Sequence, residues 1–206
     1  MQMAAGDSAL SICSDALLML GAKAISSFNE GTSAANVCDR LYPDIKNQTL
    51  LNYPWSFLYK KIQLSKLITT PTTEYSYEYQ LPGDRIGPPR QVFVTNAVGA
   101  RPIKGYRIFQ DKLLTNETAI YVDYPYAVQE YEMPVYFVQL LKYMMAWHLS
   151  LPITDQIDKT QYWQQIAIGA ASENGRGGYM RTATTIDGQG QPISVIEDYS
   201  LIDVRN

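Results

Sequence analysis

LLNYPWSFLYKKIQL, residues 50–64, changes its period in mid-stretch. Up to Tyr53 the apolar positions keep a helical spacing. After Pro54 they alternate, Trp55, Phe57 and Tyr59 against Ser56, Leu58 and Lys60, and Ile62 and Leu64 continue the run. A residue before proline is pushed toward extended geometry, so Tyr53–Pro54 ends a helix and a strand is expected over 55–64. The stretch holds no acid–base pair and no metal ligands. Tyr53, Pro54, Trp55 and Phe57 therefore read as a joint between two parts of the fold, with Trp55 and Phe57 anchoring the first strand against the helices.

Upstream, Asp7 or Ser8 caps a helix expected over about residues 8–20, where Ala9, Ile12, Cys13, Ala16, Leu17 and Leu20 recur at helical spacing and Gly21 closes the end. Thr32 or Ser33 caps a second helix whose buried stripe is Ala34, Val37, Cys38, Leu41, Ile45 and Leu51. Pro43 lies inside it, removes a backbone donor, and is expected to kink or divide it. Downstream, Tyr75, Tyr77 and Tyr79 alternate with Ser76, Glu78 and Gln80, which places three tyrosines on one face of a second strand. Short strands at 91–95, 106–109 and 119–124, separated by Pro, Gly and Asn turns, suggest an antiparallel sheet or small barrel.

After Met133 the helical period returns. Pro134 suits a helix start, Phe137, Leu140, Leu141, Met144 and Met145 fill a wide apolar face, and Pro152 is expected to stop it. Thr154 or Asp155 caps a fourth helix, which SENGRGG ends. Residues 176–206 show no helical period but carry Ile186, Ile193, Val195, Ile196, Tyr199, Leu201 and Ile202, too many apolar residues for an inert tail. They read as an extended arm that contacts a neighbouring subunit or another protein, with plain terminal disorder as the competing reading. The expected architecture is α+β: a four-helix bundle from 1–54 and 133–175, an inserted antiparallel β domain at 55–132, and a C-terminal arm at 176–206.

Hydrophobic residues make up 46% of the 206, enough for a packed core. No apolar run reaches the roughly 18–20 residues of a membrane span, and MQMAAGDSAL lacks the start of a secretory signal, so cytoplasmic synthesis without a membrane is expected. The net charge of −3 is uneven: residues 40–112 hold eleven Lys/Arg against five Asp/Glu, whereas 113–135 hold four acids and no base, and 182–206 four acids and one base. Such a chain could dock against copies of itself, basic on acidic. The basic middle is too sparse for a nucleic-acid site. Sixteen tyrosines suit both strands and interfaces.

Signals for chemistry are thin. His148 is the sole histidine and lies on the most apolar helix. Cys13 and Cys38 read as small core residues, with a disulfide or reactive thiol as the lesser reading. There is no GxSxG elbow, no phosphate-binding glycine loop and no calcium-loop spacing, since DGQGQ at 187–191 fails beyond its first residues. Glu130 with Glu132, and Glu197 with Asp198, read as solvated loop and tail acids. No catalytic, cofactor-binding or metal-ligating residue is assigned, and an assembly protein is favoured over an enzyme.

Several residues in order resemble a known family. EGTSAANVCDRLYPDIKNQTLLNYPWSF at 30–57 is similar to the N-terminal half of tail tubular protein A, the head–tail adaptor (gatekeeper) family of short-tailed and related bacteriophages. The Leu-Gly helix end in LMLGAKAI, the FNEG loop, the Trp55-Ser56-Phe57 entry, the Tyr75–Asp84 pattern YxYxYxLPxD and EMP at 132–134 carry the likeness over about residues 8–175. Pro43 and everything beyond 175 fall outside it. The resemblance implies a virion protein without enzyme activity, assembled in the host cytoplasm. It implies a homo-oligomeric ring, a dodecamer, under the portal protein. That ring extends the channel through which genomic DNA passes and forms the platform for a tail nozzle or tail tube protein. On this reading the arm residues contact portal or neighbour, and Tyr75, Tyr77 and Tyr79 form an inter-subunit or tail-facing surface. The alternative is a tyrosine-rich ligand- or carbohydrate-binding module of a phage tail, using the same three tyrosines as a stacking platform.

Overall fold

The computed structural model describes residues 7–69 and 71–190. Two helices open the chain, α1 (Ala9–Met19) and α2 (Ser33–Leu51). Six strands follow: β1 (Tyr59–Gln63), β2 (Tyr77–Gln80), β3 (Gln91–Phe93), β4 (Tyr106–Phe109), β5 (Lys112–Thr115) and β6 (Tyr121–Pro125). Three helices close it, α3 (Val135–Thr154), α4 (Ile157–Ile168) and α5 (Gly178–Gln189). Mixed α+β architecture with the strands set between helices is as the sequence predicts.

Local chemistry accounts for the helix ends. Ser8 and Ser11 cap α1 reciprocally, each hydroxyl accepting the other's backbone N–H at 3.2 and 2.8 Å. The Thr32 hydroxyl accepts from Ala35 N at the start of α2. Of the two outcomes expected at Pro43, a kink or a division, division does not occur: α2 is one helix. Pro43 sits on the exposed face, so the carbonyl it cannot serve one turn back can be hydrated instead. Pro152 likewise falls within the last turn of α3. Asp155, expected as a cap of the fourth helix, closes α3 in the left-handed region at φ 53°, and Gln156 precedes α4.

α3 is the hub. Its ten buried side chains face several directions, and it packs against α1, α2, α4 and α5, while α1 and α2 touch each other only slightly. No described helix is long and apolar enough to cross a membrane. Cys13 on α1 and Cys38 on α2 are both buried and free. The neighbouring Cys38 thiol, with burial, pushes Cys13 far above the usual thiol range.

The strands form two antiparallel three-stranded sheets, ordered β1-β6-β3 and β2-β5-β4, and no closed barrel forms among the described residues. In the first, Tyr59 pairs with Pro125 and Gln63 with Tyr121. Beyond β1 the chain changes sheets: Leu64 N still donates to Ile120 O at 2.8 Å, but Leu67 N donates to Glu78 O of β2 at 2.9 Å. One continuous core joins Leu17, Leu50 and Phe137 of the helices to Val92, Leu113 and Val122 of the sheets.

Two expectations are corrected. The first strand begins at Tyr59, four residues later than the alternation implied, because Trp55 to Leu58 form a turn closed by Leu58 N donating to Trp55 O at 3.1 Å. Residues 178–189, expected as part of an extended arm, form α5, a fifth helix packed on α3 and α4. Its glycines bracket it rather than loosen it. Gly178 starts it at φ +52°, and a Cβ on Gly177 would strike the Glu173 carboxylate, whose oxygen accepts from Ala170 N at 2.8 Å. Ile193, Val195, Ile196, Tyr199, Leu201 and Ile202 lie outside the described residues.

Candidate functional site: the two connections of the β insertion

The chain enters the sheets through residues 53–58 and returns to the helices through 126–134, and each passage is tied down. At the entry, Trp55 has no exposed surface. Its indole N–H donates to Thr49 O at 3.2 Å, which satisfies the one polar atom that burial would otherwise strand. Tyr53 meets it edge-on at 4.9 Å and Phe137 of α3 at 5.1 Å, and Phe57 meets Phe137 at 5.1 Å. Rings at these angles place positive edges against negative faces. Three of the four residues expected as a joint thus form one aromatic cluster with α3, and Pro54 sets the turn between them.

Asp187 completes the entry. From the last turn of α5 its carboxylate accepts from Ser56 N at 3.0 Å, from Ser56 Oγ at 2.7 Å and from Tyr136 Oη at 2.5 Å. It is 4% exposed, and three donors are what a buried carboxylate requires. Burial, and then the bond to Asp187, push the Tyr136 phenol well above its ordinary value, so it stays a donor. A cleft of about 300 Å³ beside this knot is lined by Tyr53, Tyr59, Arg90 and Asp187.

At the exit the tie is ionic. Glu130 accepts from Lys46 Nζ of α2 at 2.8 Å and from Tyr42 Oη at 3.0 Å. The side chains of Lys46 and Glu130 are 13% and 19% exposed. Burial raises the Glu130 carboxyl, but the hydrogen bond and charge of Lys46, helped by Tyr42, more than offset it and leave it below the usual range. Nearby, Glu132 folds back to accept from Gln129 N at 3.1 Å.

Part of the charge pattern is spent inside the subunit. Lys46 of the basic segment pairs with Glu130 of the acidic one, Lys112 with Glu78 at 3.0 Å, and Arg85 with Asp111. Lys60, Lys61 and Lys66 lie 3.5–3.9 Å over the rings of Tyr126, Phe93 and Tyr77. The expected basic-on-acidic docking between copies is to that extent satisfied within one chain.

The three tyrosines do not share a strand face. Only Tyr77 and Tyr79 lie on β2. Tyr79 is 1% exposed and donates to Glu117 O at 2.8 Å, Lys66 covers Tyr77, and Tyr75 precedes the strand. Ile186 on α5 is 40% exposed. The Nε2 of His148 is buried with no hydrogen-bond partner, and burial lowers its pKa. Among the described residues no group of three His, Cys, Asp or Glu side chains could hold a metal ion. Asp187, Tyr136 and Lys46 were missed by sequence reasoning, and Glu130, read there as a solvated loop acid, is instead tied to Lys46 and Tyr42. The signal for Asp187 was its spacing from Met180 and Ala183, which are buried with it along α5. No protein-family model matches the chain, and a search of curated proteins finds no match.

Proposed function

We propose that the chain is a structural subunit of a phage head–tail adaptor: a ring, twelve-fold by the family likeness, seated under the portal protein and carrying a tail nozzle or tail tube protein. Genomic DNA passes through its lumen without sequence-specific contact. In this reading the N- and C-terminal helix pairs act as one bundle, the β insertion projects from it at a set angle, and the subunit catalyses nothing. It belongs to the virion and is assembled in the host cytoplasm.

The observation that carries the reading is the double tie. Both connections of the insertion are bonded to helices, the entry through buried Trp55 and Asp187 and the exit through the partly buried pair of Glu130 and Lys46. An adaptor must hold two partners at a constant relative position, and such ties suit that task. Asp187 accepts from three donors, Ser56 N, Ser56 Oγ and Tyr136 Oη, and so ties α5 to both the entry turn and α3, an arrangement that suits a strut. With Tyr79 buried and Tyr77 capped by Lys66, the stacking-platform alternative has no exposed ring pair to rest on.

Electron microscopy of the purified protein, alone and with portal protein, tests the proposal. Rings with or on the portal are expected. A chain that stays monomeric and ignores the portal overturns it.

A further inference from the structure

The four outer strand edges of the two sheets differ in what guards them. The outer edge of β2 is covered by residues 65–67, and that of β3 by Ile103, whose N–H donates to Val92 O at 2.8 Å. The outer edge of β1 carries Lys60 and Lys61, the kind of charge that blunts an edge. β4 has no such cover. It pairs with β5 on one side, and among the described residues no backbone group bonds to the other. It exposes Ile108 at 37% and Phe109 at 48%. A two-residue turn, Gln110-Asp111, closes the β4–β5 hairpin, with Gln110 at φ 53°. In such hairpins the closing pair, here Phe109 and Lys112, is hydrogen-bonded, so Ile108 turns its N–H and C=O outward. Lys104 and Arg107 beside this edge have no carboxylate partner among the described residues.

The sequence supplies a complement. Ile193 to Asp203 reads ISVIEDYSLID: one alternating set is Ile193, Val195, Glu197, Tyr199 and Leu201, and β-branched residues recur on the other. The segment carries Glu197, Asp198 and Asp203 and no base.

We infer that the β4 edge receives residues 193–202 of a neighbouring copy as an added antiparallel strand, Ile and Val side chains against Ile108 and Phe109, and the acids against Lys104 and Arg107. The donor is placed on a neighbouring copy because copies set side by side bring the acidic segment of one against the basic edge of the next. The inference rests on the ring reading only in requiring copies side by side.

Disulfide trapping in the full chain tests it. Ile108→Cys is combined in turn with Val195→Cys, Tyr199→Cys and Leu201→Cys, oxidised mildly and run on non-reducing gels, with each single variant as control. At least one pair should give covalently linked oligomers that the single variants do not. Links confined to one chain, or no links at all, overturn the inference. Arg107→Glu should weaken assembly several-fold and the added change Glu197→Lys with Asp198→Lys should restore it; failure of that rescue also counts against it. Electron microscopy of the same samples separates the two readings. Rings without links overturn the added strand and leave the adaptor reading standing, whereas linked chains without rings on portal do the reverse.

Discussion

The entry and the exit of the β insertion do the same mechanical job with different chemistry. The entry is a dry aromatic knot around Trp55, completed by one carboxylate whose partners, Ser56 and Tyr136, are all neutral. The exit is an ion pair, Lys46 with Glu130, left partly open to solvent. The aromatic packing around Trp55 depends on shape rather than charge. The exit depends on a charge that acid removes. One molecule thus fixes the insertion by two different means.

The largest break is expected at Trp55. Trp55→Ala should cost about 3–5 kcal/mol, since it removes a fully buried ring and leaves a cavity between α2, α3 and the turn. Urea unfolding measures this, and an unchanged midpoint would sink the packing account of the entry. Lys46→Met should cost less, about 1–3 kcal/mol, by leaving the Glu130 carboxylate short of its charged partner. The double variant Lys46→Met with Glu130→Gln should recover a good part of that loss; no recovery would mean the pair acts through something other than its charge. Asp187→Asn should follow at about 1–2 kcal/mol, because the amide still accepts from one donor but cannot serve three. Amide exchange should rise in α5 more than in α1, and uniform rise would show that Asp187 does not tie α5 to the entry.

The smallest effects are in pH, and they sharpen the contrast. The folded-state pKa of Glu130 lies below the ordinary 4.5, so its contribution is full above that value and is lost as pH falls through the folded one. Glu130→Gln should therefore flatten the acid limb of stability below about pH 4.5. His148 titrates elsewhere. Its folded pKa is depressed from 6.5 by burial, so the unfolded chain takes up the proton first and stability declines as pH drops below 6.5 toward the folded value. His148→Phe should remove that slope and leave the Glu130 limb intact. If the slope near pH 6 survives the substitution, some other group carries it.

The joint was legible in the sequence because the apolar period changes across Tyr53–Pro54; the proline alone does not decide it, since α2 runs through Tyr42–Pro43. The start of the strand was not. Trp55, Phe57 and Tyr59 alternate as strand residues do, but a turn that anchors aromatic rings inward yields the same letters, and only the Trp55–Phe137 and Trp55–Thr49 contacts distinguish them. α5 was hidden by Gly177, Gly178, Gly188 and Gly190, which mask a short helix when counted as loop residues and mark its ends when read by position. Asp187 was hidden more deeply. Next to glycines it reads as a loop acid, and nothing local announces donors that lie 51 and 131 residues away. The exit pair was equally opaque, since Glu130 and Lys46 are 84 residues apart and each alone looks like a solvated charge.

The central place of α3 has a consequence in time. α1 and α2 bury their apolar stripes against a helix that is synthesised last of the three, after the whole β insertion. About a hundred residues separate the end of α2 from the end of α3, and at about 5–20 residues per second the ribosome needs on the order of 5–20 seconds to make them. For that interval the two opening helices carry unsatisfied hydrophobic faces in the cell. The subunit cannot mature from its N-terminus forward, and the contacts of α1 and α2 with α3 must close over one of the longest loops the chain contains.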